Sequence, residues 1–111
     1  MYRPRVIPRY SYCLPVRLKG MLPVYTWDVS GRGFQAEMLQ PVKPGTPLEG
    51  TVNLGGTEFA FEGEVVWMRQ HAGERARGRY GVRFLSLPAD FPRRLAEYRR
   101  RQGRRLVRWF R

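Results

Sequence analysis

Leu48-Glu-Gly-Thr-Val-Asn-Leu54, Gly55-Gly56 and Thr57-Glu-Phe-Ala-Phe-Glu-Gly-Glu-Val-Val-Trp-Met68 form the stretch on which the fold turns. Two β-type runs flank a glycine pair, and such a pair fits a two-residue hairpin turn because both residues adopt positive φ without a Cβ penalty. In the second run Phe59, Phe61, Gly63, Val65 and Trp67 recur with period two, which predicts a strand with one face on a core. Gly63 in mid-run predicts a bend or bulge of the kind that closes a barrel. Trp67, and Trp27 upstream, are read as core residues, since an aromatic in a barrel strand is more often packed than exposed.

Working outward, Leu14, Val16 and Leu18 alternate with Pro15, Arg17 and Lys19, which predicts another half-buried strand ended by Gly20. Met21 to Trp27 is a further β candidate, Asp28 to Gly33 reads as a turn between strands, and Phe34 to Met38 resumes strand character. Gln40 to Pro47 is a proline-rich connector and Gln70 to Gly78 a polar loop. Tyr80, Val82 and Phe84 then alternate with Gly81, Arg83 and Leu85 in a last strand. Beyond Ser86 the period changes: Asp90 is a candidate N-cap, Pro92 suits a first turn, and Phe91, Leu95 and Tyr98 repeat at helical spacing. Gly103 is read as ending or loosening this helix. The expectation is an all-β fold, a small six-stranded antiparallel β-barrel with a C-terminal α-helix. Its parts are a flexible basic arm over 1–12, the barrel over 13–87, and a basic helix and tail over 88–111.

With 111 residues and 42% apolar content the chain can bury one modest core, which excludes a multi-domain enzyme. Its longest uninterrupted apolar run is Val65 to Met68, far short of the roughly 20 residues a spanning helix needs. The N-terminal segment has no apolar stretch of signal-peptide type, so a cytoplasmic location is expected. Cys13 is the sole cysteine and is read as a small buried hydrophobe; His71, the sole histidine, is read as solvated. Neither an internal disulfide nor a zinc cluster follows from that inventory. No Ser/His/Asp set, P-loop or catalytic carboxylate pair is recognisable, so no enzymatic activity is expected.

The net charge of +12 is uneven. Arg3, Arg5, Arg9, Arg17 and Lys19 stand unopposed by acid in the first 20 residues, residues 21–92 sum to −1, and residues 93–111 carry nine arginines against Glu97 alone. A neutral body with cationic ends attracts an anion locally; it does not present one uniformly basic face. A solvated, solubilising role for the arginines fits the charge equally well.

Two short motifs carry more information together than apart. Arg5-Val6-Ile7-Pro8-Arg9 is an RxxxR element, and Asp28-Val29-Ser30-Gly31-Arg32-Gly33 is a DxSxxG element. Arginine pairs at this spacing are common in basic chains, and DxSxxG can be a turn whose side chains bond their own backbone. In this order, about 18 residues apart and followed by β-strands and a helix, the pair resembles the PilZ domain family of bacterial cyclic di-GMP receptors. Glu62-Gly63-Glu64-Val65-Val66-Trp67 and Tyr80-Gly81-Val82-Arg83-Phe84 are similar to later strands of that family, and the resemblance spans about Arg5 to Arg99.

The resemblance implies that Arg5, Arg9, Asp28, Ser30 and Gly33 bind cyclic di-GMP, with Arg3, Arg32 and Trp67 as weaker candidates. The chemistry agrees. Arginine is a preferred partner of guanine O6/N7 and of phosphate, and an ionised Asp28 complements the N1–H and N2–H donors of a guanine edge. Gly33 offers a left-handed conformation or a close approach of ligand to main chain. The implied function is a cyclic di-GMP receptor or adaptor without a cofactor, whose arm orders on binding and which signals to a downstream protein partner. A homodimer through the C-terminal helix is a further expectation, drawn from Leu106, Val107, Trp109 and Phe110 among the arginines. The rival reading is a small basic β-barrel that binds RNA or single-stranded DNA, with steep salt dependence and no need of Asp28 or Ser30.

Overall fold

Alternation of apolar and polar residues dictates the architecture. The computed structural model describes residues 9–38, 42–70 and 78–109, and the side chains of these except Arg9, Met38 and 103–109. The strands are β1 (Arg9–Tyr10), β2 (Pro15–Leu18), β3 (Val24–Ser30), β4 (Gly33–Met38), β5 (Pro47–Leu54), β6 (Thr57–Gln70) and β7 (Gly78–Ser86), followed by helix α1 (Phe91–Trp109). Neighbours run β3-β2-β5-β6-β7-β4, and β4 pairs back onto β3, which closes a six-stranded antiparallel barrel. Short β1 adds to β3 beyond its contact with β2: Val24 and Tyr25 pair with β2, while Val29 and Ser30 pair with β1.

Inward positions follow the period of two. Leu14, Val16 and Leu18 are buried, as are Phe59, Phe61 and Val65 along β6. Phe34, fully buried, meets Phe61 and Phe84 with centroids 5.7 and 5.8 Å apart, so the barrel centre is an aromatic cluster. Truncating such a ring to alanine costs about 3–5 kcal/mol. The same period puts Cys13 outside, exposed between half-buried Tyr12 and buried Leu14, contrary to the expected buried thiol.

Two bulges correct the expected tryptophan positions. In β3 the pairing with β4 slips between Thr26 and Asp28, leaving Trp27 as an extra residue on the outer face, 50% exposed. In β6 the pairing with β7 slips between Val65 and Trp67, so Trp67 pairs with Gly81 and Met68 with Tyr80. One inserted residue reverses the side on which every later side chain falls, so Trp67 leaves the core face shared by Phe59, Phe61 and Val65. The irregularity expected at Gly63 is also present, between Glu62 and Gly63. Strand β3 itself begins and ends three residues later than the expected Met21–Trp27, so Asp28 and Ser30 are strand residues and the turn is reduced to Gly31 and Arg32.

Helix α1 starts after Asp90, whose carbonyl accepts the Arg94 N–H at 3.0 Å. Buried Phe91 packs edge-on against Phe59 at 5.2 Å and Phe84 at 5.8 Å, and Leu95 is buried one turn later. The backbone stays helical through Gly103 to Trp109, so the expected break does not occur. A single helical glycine costs only about 1 kcal/mol relative to alanine, and the arginines and leucine that follow it are good helix formers.

Candidate functional site

The outer face of β3, β4, β7 and β6 carries the candidate site. Asp28 pairs with Gln35, Gln35 with Gly81 and Gly81 with Trp67, so four outward residues form one row across four strands. Three strand spacings of about 4.8 Å make this row about 14 Å wide. Both bulges serve it: the slip at Trp27 turns Asp28 outward opposite Gln35, and the slip at Val66 brings Trp67 opposite Gly81. Gln35 Nε2 donates to Asp28 Oδ2 at 3.0 Å and fixes the carboxylate on the face. At Gly81 a Cβ would lie 2.3 Å from Trp67 Nε1, so the indole lies directly over the glycine.

The flanking rows are charged. Glu37 pairs with Arg79 and Arg79 with Arg69 on one side, and the Arg79 guanidinium sits 4.0 Å from the Trp27 ring centroid. Gln35, Trp67, Arg69 and Arg79 line a cleft of about 420 Å³. On the other side Gly33 pairs with Arg83, which donates to Glu64 at 2.8 Å. The cleft therefore combines an amide, an indole face and two guanidinium groups, with the Asp28 carboxylate beside it on Gln35, a set suited to a planar heterocycle carrying phosphate.

The DxSxxG residues divide by role. Asp28 is half-buried on the outer face. Ser30 is fully buried; its Oγ accepts the Arg32 N–H at 3.1 Å and donates to the Gly33 carbonyl at 3.5 Å, which holds the turn. Arg32 is exposed at the tip, and its carbonyl accepts the Phe84 N–H at 2.8 Å. Gly33 has no positive φ, so the expected left-handed conformation is not what requires it; a Cβ there would lie 2.0 Å from the Val82 carbonyl oxygen. It is glycine because β4 and β7 approach too closely for any side chain.

The RxxxR element meets this turn at its second arginine. Arg9 pairs with Ser30 and Tyr10 with Val29, so the backbone of one motif lies directly beside the other. Arg5 and Arg3 lie outside the described residues, as does His71. The root of the arm is tied down on both sides. Thr26 Oγ1 accepts the Leu14 N–H at 2.9 Å and donates to the Tyr12 carbonyl. Tyr10 stacks on Tyr12, Tyr12 meets Tyr98 edge-on at 5.2 Å, and the Arg99 guanidinium lies 5.5 Å from the Tyr10 ring. Burial raises the pKa of the Tyr12 phenol, with the Arg99 charge opposing it. The turn also abuts the helix, since a Cβ at Gly31 would lie 3.3 Å from Pro92 Cγ.

Motif reading passes over Gln35 and Gly81, which stand in this outer row, and Thr26, which ties the root of the arm. The outward period of β4 could have suggested Gln35, whereas Gly81 gains meaning only through the β6 bulge. Among the described residues, no group of three or more His, Cys, Asp or Glu side chains is placed to hold a metal ion.

Comparison with curated proteins gives no match. Several solved structures share the fold, among them the following two. The structure of Bacillus subtilis inhibitor of motility (MotI/DgrA) superposes with a TM-score of 0.76 at 15% identity, covering 93% of this chain and 53% of that one. The Escherichia coli protein YcgR in complex with c-di-GMP superposes with a TM-score of 0.74 at 20% identity, covering 96% of this chain and 50% of that one. This chain thus spans about half the length of either. The PilZ domain profile matches residues 3–101, which take in both motifs, the whole barrel and the start of the helix, and the chain belongs to the PilZ domain family.

Proposed function

We propose that the protein is a cyclic di-GMP receptor that holds the dinucleotide between its N-terminal arm and the outer row Asp28–Gln35–Gly81–Trp67. One observation carries this reading: the backbone of Arg9 is paired with Ser30, which sets the RxxxR arm beside the DxSxxG turn and next to the row. The E. coli structure with c-di-GMP bound supports the ligand class. Asp28, oriented by Gln35, accepts from a guanine N1–H and N2–H edge. The Trp67 indole offers a stacking face, and Arg69 and Arg79 across the cleft suit the phosphates. Arg5 and Arg9 close from the arm onto guanine O6/N7 or phosphate, with Arg32 adding charge at the turn. Ser30 and Gly33 act by shaping the turn and the β4–β7 approach.

Closing the arm fixes roughly ten residues at about 1 kcal/mol or more each, which several charge-assisted contacts must offset together. Binding and ordering are therefore cooperative, and the ordered arm presents the surface that a downstream protein partner reads. The role is recognition, without chemical change of the ligand.

Isothermal calorimetry with the wild type and Arg9→Ala tests the reading. Loss of a charged hydrogen-bonding partner costs about 1.5–3 kcal/mol, so Arg9→Ala binds roughly 10- to 150-fold more weakly. Equal affinity of the two proteins overturns it. Preference for RNA or single-stranded DNA over cyclic di-GMP, undiminished by Asp28→Ala, would establish the nucleic-acid reading instead.

A further inference from the structure

A second cleft, of about 560 Å³, opens beside β3, and none of its lining residues belongs to the row Asp28–Gln35–Gly81–Trp67. Three chain segments build it. From β3, Tyr25 and Trp27 stand exposed on either side of buried Thr26, with exposed Pro23 ahead of them. The second wall is the stretch from Ser11 to Cys13, held against β3 where Thr26 Oγ1 accepts the Leu14 N–H at 2.9 Å and donates to the Tyr12 carbonyl. From β4 comes Glu37, set beside Tyr25 because Thr26 pairs with Ala36.

Of the described lining residues only Glu37 is charged. Its register partner is Arg79, but the Arg79 guanidinium lies over the Trp27 ring, 4.0 Å from the centroid. Among the described residues the half-buried Glu37 carboxylate therefore makes no ion pair or hydrogen bond. A carboxylate left uncompensated on a largely apolar wall favours a cation, and it repels phosphate, so the cleft is no extension of the dinucleotide surface. The Tyr25 and Trp27 rings add faces for a planar apolar body and for a positive charge beside it. The volume falls in the range of about 300–1,000 Å³ usual for small-molecule sites. The net charge of the chain does not oppose a cation here, since residues 21–92, which supply most of the lining, sum to −1.

We propose that this cleft is a second ligand site, separate from the row, for a small aromatic molecule that carries an ammonium group. Glu37 holds the ammonium, Tyr25 and Trp27 take the ring, and Pro23 closes the apolar side. The Trp27–Arg79 stack stands between the two clefts, since Trp27 lines this one and Arg79 the other.

Cys13, the sole cysteine, is exposed in this cleft and so reports on its occupant. The full chain is equilibrated under excess mercaptoethanol with three disulfide probes: a naphthyl ring bearing an ammonium group, the same ring bearing a carboxylate, and an ammonium without a ring. Intact mass gives the fraction of Cys13 captured by each, relative to the chain unfolded in urea. The naphthyl ammonium should be captured about fivefold more than either other probe. Glu37→Gln should erase its advantage over the carboxylate, and Trp27→Ala its advantage over the ringless ammonium, with the circular dichroism of both variants unchanged. Equal capture of the three probes, a preference for the carboxylate, or advantages that survive both substitutions overturn the inference. Calorimetry of Glu37→Gln with cyclic di-GMP should give wild-type affinity, and a loss there would overturn the separation of the two sites.

Discussion

Two hairpins of the barrel turn on two residues each, by different means. Between β5 and β6, Gly55 and Gly56 take φ of +62° and +97°, and eight successive residue pairs follow in unbroken register down to Pro47 and Glu64. Between β3 and β4, Gly31 and Arg32 make the turn, and Gly31 has no positive φ; the buried Ser30 hydroxyl ties it from within, and a bulge interrupts the register three residues back. The first turn takes two left-handed glycines, has only the exposed Asn53 Oδ1 to accept the Gly56 N–H at 2.9 Å, and carries no side chain of its own. The second is fixed by a side chain, braced by the helix at Pro92 and bordered by the arm, and it presents Asp28 and Arg32 in set positions. A turn that must hold a ligand group gains from side-chain anchoring, because a preorganised site loses less entropy on binding.

Substitutions can break this contrast. The largest effect is expected at Gly33→Ala, where the new methyl meets the Val82 backbone: stability should fall by about 3 kcal/mol, read as a lower urea midpoint. A midpoint within about 0.5 kcal/mol of wild type would show that β4 and β7 separate easily. Ser30→Ala comes next. Removing the acceptor of the Arg32 N–H should cost about 1–2 kcal/mol and weaken cyclic di-GMP binding as well. Gly55→Ala forces a left-handed alanine and should cost about 1 kcal/mol with affinity unchanged. If both hairpin variants lowered affinity alike, the contrast between the turns would fail.

The smallest effect concerns the core. Tyr80 is buried, its hydroxyl has no hydrogen-bond partner among the described residues, and burial pushes its pKa up to about 12. Tyr80→Phe should therefore be neutral to about 1 kcal/mol stabilising. Because the folded-state value lies above the ordinary value of 10, the Tyr80 contribution is intact below pH 10 and is lost as pH rises towards about 12. Urea midpoints taken from pH 9 to 11.5 should fall less steeply for Tyr80→Phe than for wild type.

Period-two alternation made most of the barrel legible: Leu14, Val16, Leu18, Phe59, Phe61 and Val82 all face the core as their spacing requires. The glycine pair gave the β5–β6 turn directly. What escaped was anything beyond a register slip. Trp27 and Trp67 look like core residues until one inserted residue moves each to the outer face, and no local signal marks Val66 as that residue. The DxSxxG motif was visible, but its division of labour was not. That Ser30 points inward and Gly33 is set by the Val82 carbonyl depends on strands distant in sequence. Gln35 escaped for the same reason, being defined by its partner across the bulge.

The central claim is that cyclic di-GMP sits on the row between Asp28 and Trp67 under the arm. An amide and indole NMR titration tests it most directly. Saturable shifts are expected at Arg9, at Asp28 through Gly33, at Gln35 and Gly81 and at the Trp67 indole N–H, with Gly55 and Gly56 still. Saturation that left Asp28, Gly81 and the Trp67 indole unmoved, or shifts centred on another face of the barrel, would contradict it.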